Sequence, residues 1–288
     1  MLEIRILGTA AGGGFPQWNC ACQNCRMARE GGLLPRMQSG AAISATGHTW
    51  HLVNASPDVS RQIETYLPRP HGVARSSPVA SIFVTNADLD HTLGLFQLRE
   101  GNRISVAAPR AVEHSLRDGL GLERVLSSYG GIDWKQAPEH WMSCGGFEVK
   151  SVPLRGGGPP RYHRDVAEGE HSVGYLFRAE DRMVGIFPDV AILDDDLLVV
   201  LSECDHVWFD GTFWSEDEML EWNGRTASQM EHVPVEQSLP LLSQLGRGRV
   251  ALLHLNNTNP ILRPDSAERK AVIEAGLSIA EDGDRWIA

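Results

Sequence analysis

No stretch of this 288-residue chain approaches the roughly 20 consecutive apolar residues that a bilayer span needs. With 42% hydrophobic and 22% charged residues it is not a disordered chain either, so a soluble globular protein without a membrane partner is expected. An excess of positive charge is also missing. The 26 Lys+Arg against 37 Asp+Glu leave a net −11, which disfavours binding to a phosphate backbone, so nucleic acid is not expected as a partner. Met1–Gly8 alternates like a strand and lacks the basic segment, apolar core and small-residue cleavage site of an export signal. The five cysteines are an odd number, which argues against a disulfide framework and for a reducing, cytoplasmic location. No repeat or low-complexity tract divides the chain, so 1–288 is read as a single domain, at a length one large layered α/β domain can hold. Gly12–Gly14 follow the first strand, but no Lys-Ser/Thr pair comes after them, which speaks against a P-loop. Close approach of backbone to a substrate or metal loop fits these glycines better.

Short apolar runs predict strands at Leu2–Leu7, Ala41–Ala45, Trp50–Val53, Val79–Val84, Ile104–Ala107, Phe147–Val152, Val173–Phe177, Met183–Phe187, His206–Phe209 and Val250–Leu253. Helices are expected from Ser56 as cap with Pro57 in the first position, and over Pro109–Leu120, Asp194–Leu201, Val235–Leu245 and Asp265–Ala275. Pro240 should kink or shorten the fourth of these. Strands interleaved with single helices predict two stacked sheets with helices outside, an α/β sandwich. The polar segments at 86–91, 155–171, 188–189, 210–214 and 254–259 all follow strands, where a rigid scaffold can bring distant side chains together.

Cys20, Cys22 and Cys25 crowd three of the five thiols into one turn. That spacing suits a tetrahedral metal, zinc above all, in a closed structural site pinning the loop at 17–27, although three incidental thiols would look the same. The fourth ligand is open among Asn19, Gln23 and Asn24 nearby and Asn257 or His232 far along the chain.

After the strand ending near Val84, the segment Asn86-Ala87-Asp88-Leu89-Asp90-His91 spaces three polar residues by two before a histidine, an alternation that would aim Asn86, Asp88 and Asp90 to one side. His254 ends another apolar strand. Asp90, His91 and His254 are therefore a candidate set of two imidazoles and one carboxylate, the donors that non-haem Fe(II) sites use and that zinc also accepts. Taken singly, each is more often a turn-capping Asp or a hydrogen-bonded core His. Asp189 and Asp210 repeat the theme of a carboxylate leaving an apolar strand and are candidate ligands or ligand-orienting groups.

The run Leu7-Gly8-Thr9-Ala10-Ala11-Gly12-Gly13-Gly14-Phe15-Pro16-Gln17-Trp18-Asn19-Cys20-Ala21-Cys22-Gln23-Asn24-Cys25 resembles the signature of the coenzyme PQQ (pyrroloquinoline quinone) synthesis protein B family. So do Asn54–Asp58, Leu89–Leu95, Leu98–Gly101, Asp210–Trp214 and His254–Pro260, and the likeness runs from end to end. Membership would imply the metallo-β-lactamase superfamily, a four-layer αββα sandwich with the metal site at one edge of the two sheets. That superfamily's first metal loop is His-x-His-x-Asp-His, and here Asn86 and Asp88 replace the leading histidines. By the motif, Asp90, His91 and His254 fall on the surviving metal's ligands and Asp189 on the bridging aspartate, an acidic residue that the PQQ family does not usually carry. His232 falls where phosphodiesterase relatives hold a catalytic histidine. Some relatives complete the three-cysteine zinc site with a histidine where this chain has Asn257.

The resemblance implies an iron- and O2-dependent hydroxylase acting on the tyrosine of a small peptide derived from the PQQ precursor, with one active-site Fe(II), or zinc in its place, and one structural zinc. His232 or Asp88 would move protons near the substrate. The alternatives are a metal-dependent hydrolase such as a phosphodiesterase, or a non-catalytic PQQ carrier. A homodimer is one expectation for the assembly. His163 and His171 lie in a Gly- and Pro-rich stretch that reads as an active-site flap, or equally as exposed loop. Trp214 beside Asp210 is the pocket candidate among tryptophans that are core by default, and Arg99 would bind substrate termini or pair on the surface.

Overall fold

The two halves of the sequence build two separate sheets. The computed structural model describes residues 1–68, 76–101, 103–165 and 169–287. In the first sheet, β1 (Glu3–Gly8), β2 (Gly40–Ser44), β3 (Trp50–Val53), β4 (Val79–Phe83), β5 (Ile104–Ala108) and β6 (Ile132–Gln136) lie side by side in sequence order. The second runs β7 (Met142–Cys144), β8 (Phe147–Pro153), β9 (Val173–Ala179), β10 (Arg182–Phe187), β11 (His206–Asp210), β12 (Val250–Leu253) and β13 (Ser278–Ile279). The last strand, β14 (Arg285–Ile287), returns to pair antiparallel with β1. Each sheet is half antiparallel and half parallel, with β3 to β6 and β10 to β13 the parallel runs.

Side-chain alternation sorts the apolar residues into three layers. Ile4, Ile6, Phe83, Trp208 and Leu253 join Tyr175 and Phe177 between the sheets. Ile82 and Val84, the neighbours of Phe83, face helices outside the first sheet with Val112 and Leu116. Phe209 and Leu252, the neighbours of Trp208 and Leu253, face helices outside the second with Leu242 and Val272. Three apolar layers between four layers of structure are the αββα sandwich, and both faces of each sheet are buried, which is why the strands read as near-continuous apolar runs. Among the described residues no helix is long and apolar enough to cross a membrane.

All ten expected strands are present, and four unexpected ones, β6, β7, β13 and β14, join them. These four are short, lie at the sheet edges and carry few buried residues, so they have little apolar signal to read. The helix expected to begin at Pro57 begins at Val59, because Ser56 instead ties off the turn: its hydroxyl accepts from Asp58 N and its carbonyl from Val59 N. Pro240 lies inside the helix Val235–Leu242, which tightens into a 3-10 turn at Ser243–Leu245. The expected alternation across Asn86–Asp90 does not occur, since β4 stops at Phe83 and Leu89–Thr92 is a short helix with Asp88 at its N-cap position. The flap segment 155–171 includes 166–168, which lie outside the described residues.

Candidate functional site

The carboxyl ends of the parallel strands converge at one edge of the sandwich. Asn54 follows β3, Thr85 and His91 follow β4, Asp189 follows β10, Asp210 ends β11 and His254 follows β12. Such edges of parallel strands are where open α/β sheets place ligands.

The His91 turn is set by backbone contacts. Ala55 N donates to His91 O at 2.7 Å and Gly94 N to Ala55 O at 2.9 Å. A Cβ at Gly94 would lie 2.2 Å from Ser56 O, so only glycine lets the turn pack this closely. On the opposite side, a Cβ at Gly12 would lie 3.2 Å from Asp90 Oδ2, which is the close backbone approach the glycine run suggested. His254 has φ +62°, a left-handed conformation that costs a non-glycine residue on the order of 1 kcal/mol and is held by Leu255 N donating to Thr9 O at 2.7 Å.

His91 Nε2 and His254 Nε2 face each other at 3.2 Å, and Asp90 Oδ2 lies 3.1 Å from His254 Nε2 and 3.8 Å from His91 Nε2. Ligand atoms bound about 2.1 Å from one ion are about 3.0–3.4 Å apart, so this trio has nearly the spacing of donors sharing a cation. The tautomers suit that role. Thr212 Oγ1 donates to Asp210 Oδ1 at 2.6 Å, so it must accept from His254 Nδ1 at 2.8 Å, and Nε2 is the nitrogen that faces the centre. On the other side Thr85 Oγ1 donates to Asn54 Oδ1 at 3.1 Å, which leaves it to accept from His91 Nδ1 at 3.0 Å. Hydroxyls thus fix both rings from behind, as the outer partners of metal-bound histidines do.

Asp189 lies 3.2 Å from His254 Nδ1 and 3.4 Å from His91 Nδ1, and receives Asn86 Nδ2 on Oδ2. Its Oδ1 is buried without a hydrogen-bond donor among the described residues, an orphaned acceptor that a cation would satisfy. Asp189, His232 and His254 form a second group of donor atoms within 4.8 Å that shares His254 with the first. His232 Nδ1 donates to Asp210 Oδ2 at 2.7 Å, which leaves Nε2 as the ring's acceptor.

The electrostatics describe a hole for positive charge. Burial alone would push His254 down, but Asp189 and the hydrogen-bonded Asp90 raise it to about 10. Burial opposes ionisation of Asp90 as well, yet His91 and His254 hold it well below the usual carboxylate range. Asp88 is pushed up to about 6 by burial, then by Asp90 and Asp189. His232 is raised in spite of burial, chiefly by Asp210.

The three thiols gather at the other end of the His254 turn. Cys22 caps the helix Gln23–Arg29, its sulfur accepting from Cys25 N at 3.4 Å, while Cys20 Sγ accepts from Cys22 N at 3.4 Å. Asn257 Nδ2 lies 3.1, 3.6 and 3.4 Å from the sulfurs of Cys20, Cys22 and Cys25. Amide nitrogen and oxygen positions interchange by a flip, and a fourth ligand to tetrahedral zinc would lie about 3.6 Å from each sulfur. Of the other fourth-ligand candidates, Asn24 is consumed elsewhere: it donates to Asn257 O and Asn259 O and accepts from Arg263. Asn19 and Gln23 are exposed, and His232 belongs to the other centre.

The remaining sequence candidates are placed differently. Asp210 does not face a substrate: it is fully buried, and its two oxygens accept from Val190 N, Thr212 and His232, so it orients other side chains. Trp214 packs on the apolar cluster outside the second sheet. His163 lies beside His114 with their rings tilted at 47°, and faces Ser115. Arg99 pairs with Glu100 and lies over Tyr129. Asp88 borders the cavity of about 740 Å³ that opens onto Asp90, Asp189, His232 and His254. Asn54, Gly94 and Thr212 fall inside the family-like motifs, but the sequence shows no role for them or for Thr85, since a threonine after a strand carries no mark of the ring it will hold.

Residues 49–255 match the family profile described as a beta-lactamase superfamily domain. Along nearly its whole length the chain is similar to proteins named coenzyme PQQ synthesis protein B. The one from Rhizobium meliloti is 40% identical, with 98% of this chain and 96% of that protein covered, and the one from Pseudomonas paraeruginosa is 36% identical, with 98% of each covered. The crystal structure of Zn(2+)-bound PqqB from Methylobacterium extorquens superposes with a TM-score of 0.90 at 31% identity, covering 99% of this chain and all of that one.

Proposed function

The chain belongs to the coenzyme PQQ synthesis protein B family of the metallo-β-lactamase superfamily, and from that premise we propose that it is a mononuclear iron hydroxylase acting on the tyrosine of a small precursor-derived peptide in the cytoplasm. The observation that carries this reading is the asymmetry of the metal loop. Asp90, His91 and His254 make one complete two-His, one-carboxylate set beside a cavity, while the positions that would supply histidines to a second ion hold Asn86 and Asp88. Bound there, Fe(II) would supply the capacity to activate O2, with a reductant providing the electrons that insertion of one oxygen atom requires. Asp189, with its orphaned oxygen, completes or tunes that site.

The protein's own groups do the rest. Thr85 and Thr212 keep both imidazoles in the tautomer that presents Nε2. His232, with Nδ1 bound to Asp210, has Nε2 free to take the phenol proton, and the buried Asp210 carboxylate stabilises the imidazolium that results. Asp88, at about 6, is poised to exchange protons near neutrality. The cysteines and Asn257 would hold a structural zinc, a metal also bound by the Methylobacterium extorquens relative.

Protein reconstituted anaerobically with Fe(II), then given O2, a reductant and a Glu-Tyr-type peptide, yields a product heavier by one oxygen. No oxygen uptake under these conditions overturns the reading. The group Asp189, His232 and His254 favours a second one, a two-metal phosphodiesterase. Two active-site metals per chain and turnover of a chromogenic phosphodiester would establish it instead.

A further inference from the structure

The cavity beside the Asp90–His91–His254 centre is lined by charges of both signs. Asp88, Asp90, Asp189 and Glu231 line it, and so do three guanidinium groups, Arg161, Arg164 and Arg225. In a chain with 37 acidic against 26 basic residues, most arginines that the structure describes are tied to carboxylates or carbonyls, as Arg155, Arg178 and Arg182 are. Arg161 and Arg164 are exposed and have no hydrogen bond or ion pair among the described residues. Arg225 is partly buried and anchored by its guanidinium to Gln229 O. Two unpartnered forks and one fixed fork, lining the same cavity as the metal-binding residues, have the chemistry of an anion-recognition rim, because a guanidinium pairs with a carboxylate through two parallel hydrogen bonds.

We propose that Arg161, Arg164 and Arg225 bind the carboxylates of the substrate, so that the cavity selects a small molecule with carboxylates at one end and admits its uncharged aromatic end to the metal. This rests on the hydroxylase reading for the identity of the aromatic end, but the arginine contacts are separable from the chemistry. A phosphate would meet the same forks. The carboxylate is favoured because Asn86 and Asp88 stand where the second metal of a two-metal phosphodiesterase would take histidines.

The test is calorimetric binding of glutamyl-tyrosine to the zinc-loaded protein, in parallel with the same dipeptide capped as amides at both carboxylates. The variants are Arg161→Gln and Arg164→Gln, singly and together, whose side chains hold no other part of the fold. Wild type should bind the free dipeptide about tenfold or more tightly than the capped one, and the double variant, which keeps only Arg225, should lose most of that preference while binding the capped form as wild type does. Equal affinity for capped and free dipeptide in wild type overturns the proposal, as does a preference that survives undiminished in the double variant. An arginine-dependent preference for a phosphodiester over the free dipeptide also overturns it. Carboxylate-dependent binding without oxygen uptake would remove the hydroxylase reading and leave the arginine rim standing. Hydroxylation of free and capped dipeptide alike would do the reverse.

Discussion

His91 and His254 bring their Nε2 atoms to 3.2 Å from positions 163 residues apart in the chain, each ring held from behind by a threonine hydroxyl. Two imidazole acceptors face to face beside a carboxylate repel one another unless a proton or a cation lies between them, and the arrangement therefore reads as a metal site.

The threonine behind His254 is testable. Thr212→Val keeps the volume and removes the hydroxyl that sets the ring's tautomer, so affinity for the active-site metal should fall about 10- to 100-fold with the fold intact. Metal titration monitored by competition with a chelator reads this directly. Unchanged affinity would mean that Thr212 does not orient the ring.

Asn257 should be required for metal at the cysteines. Asn257→Ala leaves three sulfurs without the amide that now lies within 3.6 Å of all of them, and the variant should lose zinc to a chelator faster than wild type. Asn257→His, which offers a stronger zinc donor, should hold it longer. Zinc retention indifferent to both changes would place the fourth ligand elsewhere.

His232→Gln should separate proton transfer from metal binding. The active-site metal content stays as in wild type while kcat falls about 10²- to 10⁴-fold, the range expected for loss of a general base. Loss of the metal in this variant would make His232 a ligand in the second donor group instead.

Glu218 gives the pH dependence. Burial raises its carboxyl to about 7 although Thr258 and Trp214 N donate to it. A group raised in the folded state stabilises the fold fully below its unfolded value near 4.5, and that contribution is lost as pH rises through about 7. Glu218→Gln should therefore gain on wild type as pH rises from 5 to 8, by on the order of 2–3 kcal/mol, and show no advantage at pH 4. Thermal melts across that range decide it, and a pH-independent difference would contradict it.

How much of this was legible in the sequence follows from what each residue contacts. Strands buried on both faces, such as Val250–Leu253, announce themselves as apolar runs, whereas edge strands such as Ile132–Gln136 do not. Asp90, His91 and His254 were readable as candidates because each polar group interrupts or ends such a run. Thr212 was not, because its function is a hydrogen bond to a ring 42 residues later, and composition carries no trace of that. Asp210 was readable only in part: a carboxylate leaving an apolar strand looks the same whether it ligates a metal, faces substrate or, as here, lies fully buried and orients His232 and Thr212. Arg161 and Arg164 passed unremarked, since only the folded chain shows that they line the cavity.

The measurement closest to the central claim is the source of the oxygen. Fe(II)-loaded protein turning over a Glu-Tyr-type peptide with a reductant under isotope-labelled O2 in ordinary water should place one labelled oxygen atom in the product. Product oxygen drawn from water, or none gained at all, would contradict the hydroxylase.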